Sequence, residues 1–154
     1  MAVLREVPKW DEWSLQIAES TSKRSKHPTT QVGCVIVHPD SYAQVTSGYN
    51  GMLAKLQETI EMWLDDNPLT RTVHAEKNAI AFAARYRGGT DGCTAYITHF
   101  PCWECTTLLI AAGIRRIVTC RNNIAIGHMN EVDQVLSTLR ELNIPIEYEL
   151  EVNP

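Results

Sequence analysis

No run of about 18 apolar residues occurs in the chain, so no membrane-spanning helix is expected. The stretch from Met1 to Lys9 lacks an apolar core long enough for a signal peptide. Positive charge is not in excess: 14 Lys and Arg stand against 18 Asp and Glu, a formal net charge of −4. Bulk charge therefore gives no pull toward nucleic acid, and an anionic substrate has to be met by a local basic cluster. An even set of cysteines is missing too. The five present, Cys34, Cys93, Cys102, Cys105 and Cys120, do not make a closed disulfide framework, and reduced thiols fit a cytoplasmic setting. Repeats, low-complexity tracts and linkers are absent, so residues 1–154 read as a single domain. A chain of this length buries roughly 70% of its unfolded surface, enough for a core without staples.

Trp10, Trp13 and Ile17 recur at helical spacing and predict an amphipathic helix from Trp10 to Ser22. Lys23-Arg24-Ser25-Lys26-His27-Pro28 follows. It reads either as a helix end whose cations complement the dipole, stopped by proline, or as a phosphate site. Val32 to Val37 is apolar on both faces and predicts a central strand. His38-Pro39-Asp40-Ser41 is turn chemistry, so Ala43 to Tyr49 should return antiparallel to it. Gly48-Tyr49-Asn50-Gly51 then offers a loop where backbone can approach a ligand. Leu56, Ile60, Trp63 and Leu64 predict a short helix or lid within Leu53 to Asp66, ended by Asn67-Pro68.

An alanine-rich helix is expected from Thr72 or Val73 to Arg87, with Ile80 and Phe82 on a wide buried surface. Gly88-Gly89 ends it. Cys93 to Thr98 reads as a strand. Pro101 opens a helix that runs to Ala112, with Gly113 at its cap. Arg116 to Cys120 is a strand and Asn130 to Leu142 a helix. Pro145 to Val152 alternates apolar with acidic residues, as a half-exposed edge strand does. The alternation of elements implies a layered α/β domain with a mixed sheet.

His74, Cys102 and Cys105 can hold one metal ion. Three protein ligands leave a tetrahedral zinc with a free corner, which is what separates a catalytic zinc from a structural one. Cys102 and Cys105 stand three apart at a helix start, where unpaired N–H groups and the dipole stabilise thiolates. Glu76, two residues past His74, can carry protons beside that corner. Two readings stand: an open catalytic centre, or a closed structural one that Cys93 or His99 completes. His27, His38 and His128 lack ligand spacing and read as surface or turn residues.

His74-Ala75-Glu76 followed by Pro101-Cys102-Trp103-Glu104-Cys105 resembles the zinc-dependent cytidine deaminase superfamily. Ser25-Lys26-His27-Pro28, Gln31-Val32-Gly33, Gly48-Tyr49-Asn50-Gly51, Lys77-Asn78-Ala79-Ile80 and Ala112-Gly113-Ile114 extend the likeness to its deoxycytidylate (dCMP) deaminase branch. The resemblance implies a three-layer αβα fold with a mixed five-stranded sheet. It implies Zn²⁺ on His74, Cys102 and Cys105, and Glu76 as proton shuttle in the hydrolysis of dCMP to dUMP, which feeds dTMP synthesis. It places Asn50 and the Ala75 backbone on the sugar and base, and Arg24, Ser25 and Lys26 near the phosphate. Gly48, Gly51, Phe82 and Arg85 would lie near effector sites for dCTP (activating) and dTTP (inhibiting), with Mg²⁺ on the triphosphate, in a homo-oligomer, hexamer or trimer.

The chain also departs from the family. His27 stands where Asp is usual, Leu53 where proline is common, and Lys77 where leucine is usual. Arg121-Asn122-Asn123-Ile124 replaces a region that often carries a phosphate-binding tyrosine. Two competing classes remain. One is another zinc deaminase, acting on free nucleosides, guanine or tRNA adenosine. The other is a zinc-stabilised binding module. The net charge of −4 speaks against a tRNA substrate.

Overall fold

The computed structural model describes residues 3–64, 72–120 and 126–149. In chain order these form α1 (Trp10–Ser22), β1 (Gly33–Val37), β2 (Gln44–Tyr49), β3 (Gly51–Met52), α2 (Ile60–Leu64) and β4 (Thr72–Val73). Then come α3 (Ala75–Tyr86), β5 (Thr94–Ile97), α4 (Trp103–Ala111), β6 (Arg116–Cys120), α5 (Val132–Glu141) and β7 (Ile146–Glu149).

Every residue of β1 is buried, because helices cover both faces of the sheet. The two-residue period of a strand divides its side chains. Val35 and Val37 pack with Leu15 and Ala18 of α1, and with Tyr96 and Val118. Cys34 and Ile36 point the other way, into a larger cluster that holds Ala75 and Ala79 of α3, Leu109 of α4 and Val135 and Leu139 of α5. The result is the three-layer αβα arrangement. The main sheet runs β2-β1-β5-β6-β7. β1 is antiparallel to β2 and β5, whereas β5, β6 and β7 are mutually parallel and joined through α4 and α5. The sheet is therefore mixed and five-stranded, with β7 at one edge.

Five local expectations are corrected. The short helix expected within Leu53 to Asp66 begins only at Ile60, as α2. Residues 53–56 form a turn closed by Leu56 N–H on Leu53 C=O, and Leu53 and Ile60 stay exposed while Trp63 is buried. A two-residue strand, β4, pairs with β3 where Thr72 and Val73 were expected to begin a helix. Helix α3 starts only at Ala75, with His74 as its N-cap. Pro101 precedes α4 rather than opening it, because Cys102 is extended and takes the N-cap position. Finally, α3 buries Ala75, Glu76, Ala79 and Ala83, which leaves Phe82 partly in solvent. Helix α5 also begins later than Asn130, after a 3₁₀ turn at Ile126–Glu131. Asn67-Pro68, Arg121-Asn122-Asn123-Ile124 and residues 150–152 lie outside the described residues.

Candidate metal centre

The N-termini of α3 and α4 meet at the ends of β4 and β5. His74 and Cys102 are the two N-caps, and Cys105 follows in the first turn of α4. His74 Nδ1 lies 3.6 Å from Cys102 Sγ and 3.4 Å from Cys105 Sγ. A tetrahedral zinc with ordinary Zn–S and Zn–N bonds requires an S···N separation of about 3.5 Å. The donors therefore fit zinc in type and in spacing. Among the described residues no fourth His, Cys, Asp or Glu completes this group. His99 Nδ1 instead lies 3.0 Å from Thr98 Oγ1, and the Cys93 thiol faces the Asp91 carbonyl. This leaves a corner without a protein donor, as a catalytic zinc needs.

The protonation pattern shows what the donors do when protons stand in for a cation. A hydrogen bond from the Cys105 thiol, and then one with His74, pulls Cys102 down to about 4. The same thiol–thiolate bond, with burial, pushes Cys105 up. His74 is held above the usual imidazole range, chiefly by its hydrogen bond with Cys102. Three groups thus crowd around shared protons in a space sized for one dication. Glu76 is buried, and desolvation pushes its carboxyl above the usual range, against its own backbone N–H and His74.

The chain ties this centre to the loop after α1. Gly51, next in the chain to Asn50, pairs with Val73, so Asn50 lies beside the strand that delivers His74. The Asn50 carboxamide accepts from Val32 N–H at 2.8 Å and donates to Thr30 C=O at 2.9 Å. Asn78 of α3 donates to Tyr49 C=O at 2.8 Å. Residues 30–32, Asn50 and α3 thus form one hydrogen-bonded unit. Ala75 is fully buried at the first turn of α3, whose N-cap makes no side-chain hydrogen bond. Ser25 and Lys26 lie in the loop that follows α1. Ser25 Oγ accepts from His27 N–H, and Lys26 pairs with Glu58 at 3.2 Å. Arg24 is exposed beside them. The exposed face of α3 carries Phe82 and Arg85, the latter over the Tyr86 ring at 5.0 Å, away from the metal donors. His27 and His38 are turn residues as expected, each accepting backbone N–H groups on Nδ1.

His128 was misread. It lies in the 3₁₀ turn after β6, with its ring 5.9 Å from the ring of His74. Glu131, not singled out in the sequence, accepts Trp103 N–H at 2.7 Å. No linear spacing announces either residue. The available signal was topological: β6 is parallel to β5, so its carboxyl end opens on the same edge of the sheet as the cysteines.

Residues 8–121 match a family model described as the cytidine and deoxycytidylate deaminase zinc-binding region. A probable deoxycytidylate deaminase of Caenorhabditis elegans is 41% identical over 113 residues, which cover 70% of this chain and 55% of that protein. A deoxycytidylate deaminase of Mycobacterium phage D29 is 36% identical over 124 residues, covering 72% of this chain and 94% of that protein. The chain thus spans about half of the nematode relative and nearly all of the phage one. The fold is shared with a dCMP deaminase from cyanophage S-TIM5, solved in complex with dCMP and dUMP. The TM-score is 0.72 at 22% identity, over 96% of this chain and 100% of that one. No described helix is long and apolar enough to cross a membrane.

Proposed function

The chain belongs to the zinc-binding cytidine and deoxycytidylate deaminase family, and from that premise we propose that it hydrolyses dCMP to dUMP and ammonia. The observation that carries the reading is three donors spaced for one zinc, with a buried carboxylate two residues from the imidazole. Zinc held by His74, Cys102 and Cys105 supplies Lewis-acid activation of water at neutral pH. Glu76 takes a proton from the attacking water and delivers it to the pyrimidine ring nitrogen. It then carries the second proton to the amine, which leaves as ammonia. Burial raises the proton affinity of Glu76, which suits a group that must accept a proton and release it again.

Asn50 and the amide at Ala75 hold the sugar and base at the mouth of the centre. Arg24, Ser25 and Lys26 meet the phosphate, as the local basic cluster that an anion needs in a chain of net charge −4. The phage relative of nearly the same span supports a nucleotide substrate. The reading extends to a product that feeds dTMP synthesis and to control by dCTP and dTTP with Mg²⁺. Effector contacts would fall at Gly48, Gly51, Phe82 and Arg85. Assembly of copies, trimer or hexamer, is supported by the exposed Phe82 and Tyr86 on α3. A cytoplasmic setting is supported by the odd number of cysteines, which makes no closed disulfide framework.

The test is one assay panel: dCMP, CMP, deoxycytidine and 5-methyl-dCMP, each with and without dCTP or dTTP. Fastest turnover of dCMP is expected. Equal kcat/KM for dCMP and deoxycytidine would remove the nucleotide reading, and no ammonia from any of them would remove the deaminase.

A further inference from the structure

Helix α4 begins with N–H groups that have no partner within the helix. Two of them are met in different ways. Cys105 N–H reaches the Cys102 sulfur at 3.4 Å, so this metal donor is also the N-cap of its own helix. Trp103 N–H reaches the Glu131 carboxylate at 2.7 Å, a charge-assisted bond from a residue 28 positions away. Its peptide unit joins Trp103 to Cys102. Holding that peptide fixes the extended backbone of Cys102, and with it the direction of the sulfur. The Glu131 carboxylate also lies within 4.8 Å of Cys102 Sγ and of a ring nitrogen of His128. The His128 ring in turn packs edge-on against that of His74. One turn after β6 therefore bears on two of the three metal donors.

We propose that Glu131 is a positioning residue for the metal centre: its hydrogen bond to Trp103 N–H sets Cys102 for coordination, with His128 packing the His74 ring in place. The proposal rests on the zinc reading above. Both residues bear on metal donors, so the effect is read on the metal. Outer-shell partners of this kind are worth about 10–100-fold in metal affinity.

The experiment is competition for zinc against a chromogenic chelator, with zinc counted per chain, for wild type, Glu131→Ala and Glu131→Gln. Glutamine keeps an acceptor oxygen but loses the charge; alanine loses both. Glu131→Ala is expected to bind zinc at least about tenfold more weakly, while Glu131→Gln stays near wild type and all three bind one zinc. Should Glu131→Ala fail to fold, Glu131→Asp repeats the test, since it withdraws the acceptor by one methylene and keeps the charge. Its affinity should also fall.

Wild-type affinity in Glu131→Ala or Glu131→Asp overturns the proposal while leaving the zinc centre intact. An equal loss in glutamine and alanine overturns it by making charge the cause. A second zinc in wild type that disappears in Glu131→Ala overturns it by making Cys102, His128 and Glu131 a metal site. A wild-type chain that takes up no zinc overturns both the centre and the proposal.

Discussion

Gly48 shows how little room a single position has. A Cβ added there would fall 2.4 Å from Ala75 O and 2.5 Å from Ala79 N, both backbone atoms of α3 that cannot rotate away. Gly48→Ala must push the first turns of α3 off the sheet, and His74 and Glu76 move with them. The expected cost is about 1–3 kcal/mol of stability, read by thermal melting, with weaker zinc binding alongside. Unchanged melting and zinc affinity would show that the helix has slack to give. Glu76→Gln is a sharper change in chemistry and a milder one in shape. It should keep zinc, measured by metal analysis, and lose about 10²–10⁴ in kcat. Near wild-type turnover would remove Glu76 from the proton path. His74, Glu76, Cys102 and Cys105 were legible in sequence because the metal dictates residue type and the helix start dictates spacing. Glu131 and His128 were not, because their relation to Cys102 exists only after β6 is laid beside β5.

Among the elements, the legible ones were those with two apolar faces or a sustained period. α1 runs over the residues its tryptophan spacing predicted, and β1 is buried throughout as its apolar run required. The segment after Gly51 turns helical only at Ile60, because Leu53, Leu56 and Ile60 of its apolar spacing remain in solvent. Among the described residues, Trp63 meets the edge of the His27 ring at 5.5 Å, and Glu58 accepts from the Trp63 indole and pairs with Lys26. This segment therefore docks on the loop that carries Ser25 and Lys26. Lys26→Ala, and Arg24→Ala likewise, should raise KM for dCMP roughly tenfold, the scale of one charge-assisted hydrogen bond, and leave KM for deoxycytidine unchanged. Equal effects on both substrates in steady-state assays would show that these cations do not read phosphate. Lys77, a departure from the family pattern, pairs with Glu104 at 2.6 Å and links the first turns of α3 and α4. Both side chains are exposed enough that the pair contributes little.

For the molecule as a whole, the architecture followed from alternation of strands and helices, and the site lies where a parallel sheet puts one, at the carboxyl ends of its strands. What the sequence concealed was the tie between the layers. Arg116 on β6 bonds both oxygens of Asp11 on α1, at 2.8 and 2.6 Å, and also grips Glu147 on β7. The buried Tyr96 hydroxyl on β5 donates to the same Asp11. Asp11 lies 105 residues from Arg116, beyond any pattern rule. The Arg116 hydrogen bonds, outweighing desolvation and helped by Tyr96, hold the Asp11 carboxyl below its usual range.

A carboxyl depressed in the folded state stabilises above its unfolded pKa of about 3.9, and that stabilisation is lost as pH falls through the lower folded value. Asp11→Asn should therefore cost on the order of 1–2 kcal/mol at pH 7, allowing for partial solvent screening. The deficit should shrink as both proteins are taken below pH 4, because the wild-type carboxyl then protonates and forfeits the same interaction. Paired thermal melts from pH 3 to 7 measure this. A deficit that stays constant across that range would mean that Asp11 holds α1 to the sheet by packing alone, and that the ion pair adds nothing to the joint.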